Sequence, residues 1–260
     1  MTNPIEQFDE ERRQQIASYA RDATFMAQSQ TWLEASMRKR YVYNFDWLGR
    51  PIIQYPQDMV AMQELVWATR PDLIIETGIA HGGSLVLSAS LLAMLDYCDA
   101  VQTGSALDPR ASRRRVLGLD IDIRAHNRAA IEAHPLAHKI EMIQGSSVAP
   151  DVVAQVQAYA SRYERVMVCL DSNHTHEHVL AELRAYAPLT TVGCYCVVFD
   201  TFVEDMPADL FPDRPWTPGN NPKTAVRAYL DDNTAFEIDT TIPDKLQVTV
   251  APDGFLLRKG

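Results

Sequence analysis

The sequence predicts an α/β fold, with a mostly parallel, seven-stranded sheet, helices on both faces and a helical extension at the N-terminus. Short apolar runs of strand length alternate with segments of helical length over most of the chain, as in proteins built from strand–helix–strand units. The 260 residues, 47% of them apolar, are also enough to bury one full core. We therefore predict an N-terminal extension over residues 1–58 and one α/β domain over residues 59–260.

The extension divides into a helical and an aromatic part. Residues 4–30 are mostly polar, and Ile16, Tyr19 and Ala23 share one side of a predicted amphipathic helix that covers the domain or contacts a second copy. Residues 41–51 are rich in aromatic side chains and end in a Gly-x-Pro turn. These aromatic residues either line a substrate site or pack against the core. Asp58 is expected to begin a helix over residues 59–69.

A glycine turn follows the first predicted strand of the domain. Residues 73–75 form a short apolar run, and the turn contains Gly78, Gly82 and Gly83 before a helix over residues 85–95. Such a turn places backbone N–H groups at the positive end of a helix dipole and leaves room for a ligand beside the main chain. A nucleotide-like cofactor would fit there, although glycines at such turns also serve packing alone.

The residues around the turn indicate which cofactor. Their spacing matches neither the G-x-G-x-x-G of dinucleotide binders nor the G-x-x-x-x-G-K-[ST] phosphate loop. Glu76, directly before the turn, would repel a pyrophosphate but suits the positively charged groups of S-adenosylmethionine. We predict that Glu76, Gly78, Gly82 and Ser84 contact this cofactor.

The next two strands supply further cofactor residues. A carboxylate at the end of the second strand, residues 116–120, is placed to accept both hydroxyls of a ribose. Asp120 is the predicted residue, and Asp122 is the nearby alternative. The third strand, residues 140–144, leads into Ser146 and Ser147, which we expect beside the adenine.

A polar cluster follows the fourth strand, residues 165–170. Ligands of open α/β sheets lie at the carboxyl ends of strands, so Asp171 and His174 are expected to face the same crevice as the glycine turn. The fifth strand, residues 193–200, ends in Asp200. Two converging carboxylates repel each other unless one is protonated or a cation lies between them, and such oxygen ligands suit Mg²⁺. His174 is then placed to take a proton from a substrate hydroxyl, because imidazoles ordinarily titrate near neutral pH.

Other interpretations of this cluster exist. Asp171 and Asp200 could be helix caps or solvated strand ends, and we assign His176 and His178 to a surface cluster. A zinc site through His174 and His178 is a weaker option, because no third strong ligand is evident. For Asp171, His174 and Asp200 we favour a functional role.

The remaining segments complete the sheet and cover the crevice. Residues 96–115 are predicted to be a surface loop, and the Pro-rich residues 201–221 a lid or substrate loop. Helices are expected over residues 125–133, 151–163, 177–186 and 223–230. Strands are expected over residues 236–238 and 246–250, and residues 255–257 form a final hairpin.

Composition excludes several classes of partner. A formal net charge of −10 does not suit a nucleic-acid or anionic-membrane binder. No apolar run is expected to span a membrane, and the N-terminus is polar rather than a signal peptide. The four cysteines lack zinc spacing, and three lie in strand-like runs, which favours reduced thiols and a cytoplasmic location. The expected partners are a small-molecule acceptor and further copies of the same chain.

Four motifs together resemble one protein family. They are residues 75–78 with 82–84, residues 119–124, residues 170–174 and residues 198–201. In this order they are similar to the cephalosporin hydroxylase and rhamnosyl O-methyltransferase family, over roughly Trp47 to the C-terminus. The resemblance implies the Rossmann-like class I methyltransferase fold, S-adenosylmethionine as cofactor, and Mg²⁺-assisted methylation of hydroxyls on sugars or antibiotic intermediates.

The resemblance also assigns roles to residues of this chain. The metal aspartate of the family falls on Asp171, its catalytic histidine on His174, and its second acidic site on the pair Phe199 and Asp200. That pair is usually Glu-Asp, so Phe199 removes one expected metal ligand. We expect an O-methyltransferase acting on a sugar or glycosylated natural product. The alternatives are a metal-independent methyltransferase and a non-catalytic cofactor-binding assembly or regulatory protein.

Overall fold

The N-terminal extension contains two helices rather than one. The structure is a computed structural model that describes residues 3–260. Helix α1 (Pro4–Tyr19) ends at a turn, and Asp22 begins helix α2 (Ala23–Arg38) by accepting a hydrogen bond from the backbone N–H of Phe25 at 3.0 Å. The prediction of a single helix over residues 4–30 is therefore wrong, because a turn separates α1 from α2. None of the residues of α1 is buried, whereas α2 buries Leu33 in the core.

A short hairpin follows, which the sequence analysis did not predict. After a 3₁₀ turn (Tyr41–Asn44), strands β1 (Phe45–Trp47) and β2 (Arg50–Ile52) pair in antiparallel fashion. The turn residues Leu48 and Gly49 have φ angles of 45° and 84°, which are typical of two-residue hairpin turns. Leu48 is an unusual residue for such a backbone, so the sequence gives little sign of the turn.

The domain alternates strands and helices in the predicted order. Its elements are α3 (Pro56–Thr69), β3 (Leu73–Thr77), α4 (Gly83–Thr103), β4 (Arg115–Asp120), α5 (Ala125–Glu132), β5 (Ile140–Gln144), α6 (Pro150–Ala160), β6 (Val166–Leu170), α7 (His176–Tyr186), β7 (Tyr195–Val198), α8 (Pro222–Asp231), β8 (Phe236–Ile238), α9 (Thr241–Leu246) and β9 (Phe255–Arg258). Short 3₁₀ turns lie at Ala137–Lys139, Ala187–Leu189 and Thr201–Asp205.

The seven-stranded sheet has the order β5-β4-β3-β6-β7-β9-β8. Strands β3 to β7 run parallel, and β9 pairs antiparallel with both β7 and β8. The chain order reverses between β3 and β6, where Thr77 pairs with Leu170. The next residues, Gly78 and Asp171, therefore leave the sheet side by side at the place where ligands bind in open α/β sheets. The predicted α/β fold with a mostly parallel sheet is confirmed.

Helices cover both faces of the sheet over separate apolar clusters. Ile74, Cys169 and Val197 face the layer that contains α3, α4 and the N-terminal extension. Ile75, Val168 and Val198 face the layer that contains α6, α7 and α8. This alternation follows from the two-residue period of a strand, and burial on both faces explains why these strands are apolar throughout.

Three local predictions are wrong. Helix α4 continues to Thr103, so the first part of the predicted loop at residues 96–115 is helical. Residues 246–250 form no strand, because α9 ends at Leu246 and Val250 donates its N–H to the carboxylate of Asp58 at 3.1 Å. Asp58 is not the N-cap of α3, which begins at Pro56 with Tyr55 as its N-cap. Asp58 is buried in the first turn of that helix, and its carboxylate accepts hydrogen bonds from the segment after α9.

By length and hydropathy, α4 could cross a membrane, contrary to the expectation that no apolar run reaches that length. It is the one such helix among residues 3–260, with a mean hydropathy of 1.5. The same test is passed by core helices of globular domains, and α4 packs against α3, β4 and the β1–β2 hairpin.

Candidate active site

A large cavity opens at the carboxyl ends of the parallel strands. Its volume is about 870 Å³, and its walls include the glycine turn after β3 and the residues that follow β4, β5, β6 and β7. The α2 helix end, the residues after β1 and the segment after β7 form the rest of the wall. A cavity of this volume at a topological switch point suits a cofactor and a small substrate together.

The glycine turn touches the end of β6 closely. Gly78 has a φ of 91°, and a Cβ atom there would lie 2.0 Å from the carbonyl oxygen of Asp171. Its N–H donates to the carbonyl of Leu119 at 2.8 Å, so the turn is tied to both neighbouring strands. Only glycine fits this position, because both the backbone angle and the available space exclude a side chain.

Two residues that the sequence analysis missed hold the rest of the turn. Arg50 of the hairpin donates from Nε to the carbonyl of His81 at 3.0 Å. Asn127 of α5 donates from Nδ2 to the carbonyl of Ala80 at 2.8 Å. These bonds satisfy backbone groups of an exposed loop and fix its shape around the cavity. No local pattern marks either residue for this role.

Asp120 lines the cavity at the end of β4. Its Oδ2 accepts hydrogen bonds from the backbone N–H groups of Ile79 at 2.9 Å and Ala80 at 3.3 Å. Its Oδ1 accepts from the N–H of Asp122 at 3.0 Å. Asp122 itself is exposed and lies outside the cavity wall. Of the two carboxylates, only Asp120 lines the cavity.

Glu76 lies beneath the turn rather than in the cavity wall. It is buried, and Ser84 donates a short hydrogen bond to its carboxylate. Burial raises the pKa of Glu76 to about 7, and the Ser84 bond acts in the opposite direction. Ser84 itself lines the cavity, whereas Gly82 faces Ile131 of α5. Of the four predicted cofactor residues around the turn, Gly78 and Ser84 line the cavity, whereas Glu76 and Gly82 do not.

Ser146 and Ser147 line the cavity next to a hydrogen-bonded cluster on α7. His178 Nε2 lies 3.1 Å from Ser147 Oγ and 3.2 Å from Ser172 Oγ. Ser172 also donates to Glu182 Oε1 at 2.7 Å, and Glu182 is fully buried. His178 lines the cavity, so its assignment to a surface cluster is wrong. The four-residue spacing of His178 and Glu182 on α7 is the signal that could have revealed this pair.

His176 is held away from the cavity. Its Nδ1 lies 2.8 Å from Thr224 Oγ1 of α8, and it is absent from the cavity wall. The structure does not support the zinc option through His174 and His178 on one helix face, because His174 precedes α7 and His178 is not part of the cluster of potential ligands at Asp171, His174 and Asp200.

Asp171, His174 and Asp200 meet at the centre of the cavity. One potential ligand atom from each lies within 4.8 Å of the other two. Burial raises the pKa of Asp171 well above its ordinary value, and the negative charge of Asp200 adds to this. Burial also raises the pKa of Asp200, and the nearby His174 lowers it. Two carboxylates under mutual repulsion form a set that a divalent cation would stabilise.

His174 contacts Asp200 on one segment and Trp216 on another. Its Nε2 lies 3.0 Å from Asp200 Oδ2, and its ring meets the ring of Trp216 edge to face at 4.7 Å. Asp200 has a φ of 58°, a left-handed conformation that costs a non-glycine residue about 1–3 kcal/mol. Strain of this kind is concentrated at functional sites, which agrees with the position of Asp200 at the cavity centre.

Phe199 has two surroundings. It is 3% exposed and belongs to the apolar cluster on the α3 and α4 side of the sheet, but its ring edge also reaches the cavity wall. Its N–H donates to the carbonyl of Leu170 at 3.0 Å and extends the pairing of β6 with β7. The side chain therefore acts mainly as a core residue, at the position where the family resemblance implies an acid.

Comparison with known proteins identifies the family. The family model for rhamnosyl O-methyltransferase/CmcI matches residues 39–259. The chain belongs to this family. It is therefore an S-adenosylmethionine-dependent methyltransferase, as the four motifs indicated. The match begins near the end of α2 and covers both the hairpin and the sheet.

Two relatives of this family member come from mycobacteria. A rhamnosyl O-methyltransferase of Mycobacterium bovis (strain BCG / Pasteur 1173P2) is 30% identical over 207 residues, which cover 77% of this chain and 73% of the relative. A rhamnosyl O-methyltransferase of Mycobacterium leprae (strain TN) is 29% identical over 215 residues, 82% of each chain.

Solved structures share the fold of this family member. An apo structure of CmcI aligns with a TM-score of 0.53 at 16% identity, covering 84% of this chain and 77% of that one. A structure of CmcI described as Mg-SAM aligns with a TM-score of 0.52 at 16% identity, covering 84% and 78%. At this identity the likeness establishes the fold alone.

Proposed function

We propose that this enzyme transfers a methyl group from S-adenosylmethionine to a hydroxyl of a sugar or glycosylated small molecule, with Mg²⁺ bound at the end of β6 and His174 as general base. The observation that carries the proposal is the meeting of Asp171, His174 and Asp200 within 4.8 Å in the same cavity as the glycine turn. Methyl transfer is an in-line displacement, so an enzyme mainly needs to position two substrates and accept one proton.

The cofactor half of the cavity has the donors and acceptors that S-adenosylmethionine requires. Asp120 presents a carboxylate to the ribose hydroxyls, and the N–H groups of Ile79 and Ala80 fix that carboxylate. Ser146 and Ser147 lie beside the position expected for the adenine. The positively charged sulfonium and ammonium groups would favour the ionised forms of Asp171 and of the buried Glu76, whose pKa values burial raises.

The metal would be held by Asp171 and Asp200. Their oxygen atoms match the ligands that Mg²⁺ prefers, and a bound cation would favour the ionised forms of both carboxyl groups, whose pKa values are raised mainly by burial. When bound, Mg²⁺ lowers the pKa of an acceptor hydroxyl and orients its oxygen. Because Phe199 supplies no carboxylate, we expect weak binding, in the millimolar range as an order of magnitude from ligand-charge rules.

His174 has the surroundings of an oriented base. A hydrogen bond from Nε2–H to Asp200 would leave Nδ1 free to accept a proton from the acceptor hydroxyl, and Asp200 would stabilise the resulting imidazolium. The ring of Trp216 packs against the imidazole edge to face and restricts its orientation. The aromatic and apolar wall around it, which includes Tyr43 and Phe211, suits the faces of a sugar ring.

Transfer of label from radioactive S-adenosylmethionine to a panel of glycosides tests this proposal. We expect methylated product in the presence of Mg²⁺ and a large loss of rate with excess chelator. Full activity in chelator would instead support the metal-independent alternative, for which Phe199 is the structural argument. Absence of any methylated sugar, with normal binding of S-adenosylhomocysteine, would contradict the acceptor class.

Two further expectations stay predictions. A homo-oligomer through the N-terminal extension agrees with the unburied α1 helix, and analytical ultracentrifugation would test it.

The division into residues 1–58 and 59–260 also stays a prediction, and its first two residues lie outside the described part. Leu33, Val42 and Ile52 of the extension belong to the same apolar cluster as α3 and α4, so we expect the two parts to unfold together.

A further inference from the structure

We propose that the acceptor of this methyltransferase is anionic, and that Arg40 and Arg214 bind its carboxylate or phosphate at the mouth of the cavity. This inference deepens the proposed function and rests on it, since it concerns the acceptor of the same site. Neither residue belongs to the four motifs by which the chain resembles its family. The argument depends on charge, on the partners of each arginine and on the distance of Arg214 from His174.

The acceptor side of the cavity carries positive charge on a negatively charged protein. The chain has a formal net charge of −10, so on average its surface repels anions. All carboxylates of the cavity wall, Asp120, Asp171 and Asp200, lie at the strand ends. The charged side chains of the outer wall are three arginines, Arg38, Arg40 and Arg214. A mouth of this sign attracts anions and raises their local concentration.

One of these arginines is already neutralised. Arg38 Nε donates to Glu34 at 2.9 Å, and its NH2 group lies 3.3 Å from Asp209. The second contact joins α2 to residues 201–221, as does a 2.8 Å bond from Gln30 Nε2 to the carbonyl of Asp205. These contacts hold the lid segment, residues 201–221, against the extension. Arg38 therefore has a structural role, and its charge is balanced by Glu34 and Asp209.

Arg40 and Arg214 have no such partner. Within residues 3–260, neither guanidinium takes part in an ion pair or a hydrogen bond. Each stacks on an aromatic ring instead, Arg40 on Tyr43 at 4.8 Å and Arg214 on Trp216 at 5.1 Å. Stacking occupies the face of a guanidinium and leaves its N–H edge free, and that edge matches a carboxylate or a phosphate in two parallel hydrogen bonds.

The two arginines reach the cavity wall from separate segments of the chain. Arg40 lies at the end of α2 with a φ of 56°, a left-handed conformation that costs about 1–2 kcal/mol. Arg214 lies in the lid segment. An anion held between them would bridge the extension and the lid over the bound acceptor. Closure of this kind excludes water from the reacting atoms and commits the substrate.

The distance to the reacting centre suits an anion on the acceptor sugar itself. The ring of Trp216 lies between Arg214 and His174, with spacings of 5.1 Å to the guanidinium and 4.7 Å to the imidazole. The distance from the guanidinium to the imidazole is therefore at most the sum of these two spacings. One sugar ring with its substituent spans about that distance. A uronic acid carboxylate and a phosphate on the anomeric oxygen both satisfy this limit.

Binding of matched acceptor pairs tests the inference independently of turnover. The first pair is p-nitrophenyl β-D-glucuronide and p-nitrophenyl β-D-glucoside, and the second is glucose 1-phosphate and methyl glucoside. The full chain, saturated with S-adenosylhomocysteine, is titrated with each compound by calorimetry. We expect the anionic member of at least one pair to bind roughly tenfold more tightly, as charge-assisted hydrogen bonds allow. The pair that shows the difference identifies carboxylate or phosphate as the anion.

The Arg40→Gln/Arg214→Gln double variant should bring this ratio close to one. The Arg21→Gln/Arg110→Gln double variant is the matched control, because it removes the same two charges from exposed residues outside the cavity and should retain the ratio. Equal binding of both members of both pairs, or a preference that survives in the double variant, would overturn the inference. Methylation of neutral and anionic glycosides at equal rates would overturn it too, while the proposed function would stand. Arginine-dependent anion binding without methylation of any glycoside would support it and refute the proposed reaction.

Discussion

The carbonyl oxygen of Asp171 occupies the space in which a side chain of Gly78 would begin. A Cβ atom on Gly78 would lie 2.0 Å from that oxygen. The contact follows from the pairing of Thr77 with Leu170, which brings the two strand ends together. The glycine turn of the proposed cofactor site and the carboxylate of the proposed metal site are thus one rigid unit, and a change in either should disturb both.

Gly78→Ala should abolish cofactor binding and lower the free energy of unfolding by more than about 3 kcal/mol, because strain and a backbone collision act together. Gly193→Ala is the matched control. Gly193 has a similar φ of 79° with no atom within 4 Å of an added Cβ, so only the cost of the backbone angle, about 1–2 kcal/mol, applies there. Urea unfolding and calorimetry with S-adenosylhomocysteine measure both effects. Equal losses in the two variants would contradict the collision.

Asp120→Ala should weaken binding of S-adenosylhomocysteine roughly tenfold to a hundredfold, because a charged hydrogen-bond acceptor for the ribose and for the turn is lost. Acceptor binding should change less. Asp122→Ala is the control, since Asp122 is exposed and lies outside the cavity wall. Calorimetric titration of both variants decides the assignment. A larger effect of Asp122→Ala would move the ribose contact to that residue.

His174→Ala should lower kcat roughly a hundredfold or more, since general-base catalysis typically contributes that much. Affinity for the cofactor should stay nearly unchanged. His176→Ala is the control, because its imidazole is bonded to Thr224 away from the cavity. His178→Ala cannot serve as one, because His178 lines the cavity beside Ser147. An unchanged kcat for His174→Ala would leave His174 with a structural role alone.

Phe199→Glu should destabilise the protein by roughly 3 kcal/mol or more, because it removes a buried ring and places a charge against the apolar cluster of α3 and α4. Phe199→Leu keeps the site apolar and should retain both the fold and the dependence on Mg²⁺. Thermal denaturation and Mg²⁺ titration of activity separate the effects. Tighter activation by Mg²⁺ at an unchanged melting temperature would show that position 199 borders the metal site.

Asp58 should make stability depend on pH. Burial raises its pKa from 3.8 to about 7, against the effect of its bonds to Thr249 and Val250. The folded state therefore retains this proton at pH values where the unfolded chain has lost it. The stabilisation is fully present below about pH 4 and is lost as the pH rises through about 7. Its full size is on the order of 4 kcal/mol.

Asp58→Asn should flatten this profile, since an amide does not titrate. Urea unfolding at pH 5 to pH 8 measures the slope for the variant and the parent protein. Asp122→Asn, an exposed carboxylate, should leave the slope as it is. Glu76 also has a raised pKa of about 7, so a smaller slope should persist in Asp58→Asn. Identical slopes with and without Asp58 would disprove its contribution.

The sequence by itself determined the sheet, the glycine turn and the order of the polar strand ends. Strands such as β3 are buried on both faces, so their apolar runs are visible without any partner. The carboxyl ends of parallel strands meet at one edge, which is why Asp171, His174 and Asp200 could be grouped before their distances were known. The motifs in the same order pointed to the family that the comparison confirmed.

Tertiary structure decided what depends on distant partners. The apolar residues 246–250 have the local pattern of a strand, but Asp58 holds them in another conformation and β9 takes the place beside β7. The spacing of His178 and Glu182 on α7 is visible in the sequence, but the contact of His178 with Ser147, 31 residues away along the chain, depends on the fold. The ion pair of Arg38 with Asp209 likewise depends on the contact between α2 and the lid segment. The same contact leaves the guanidinium of Arg40 without an ion pair among the described residues. Hydrogen-bond partners far apart in sequence leave no periodic trace, whereas burial against a sheet does.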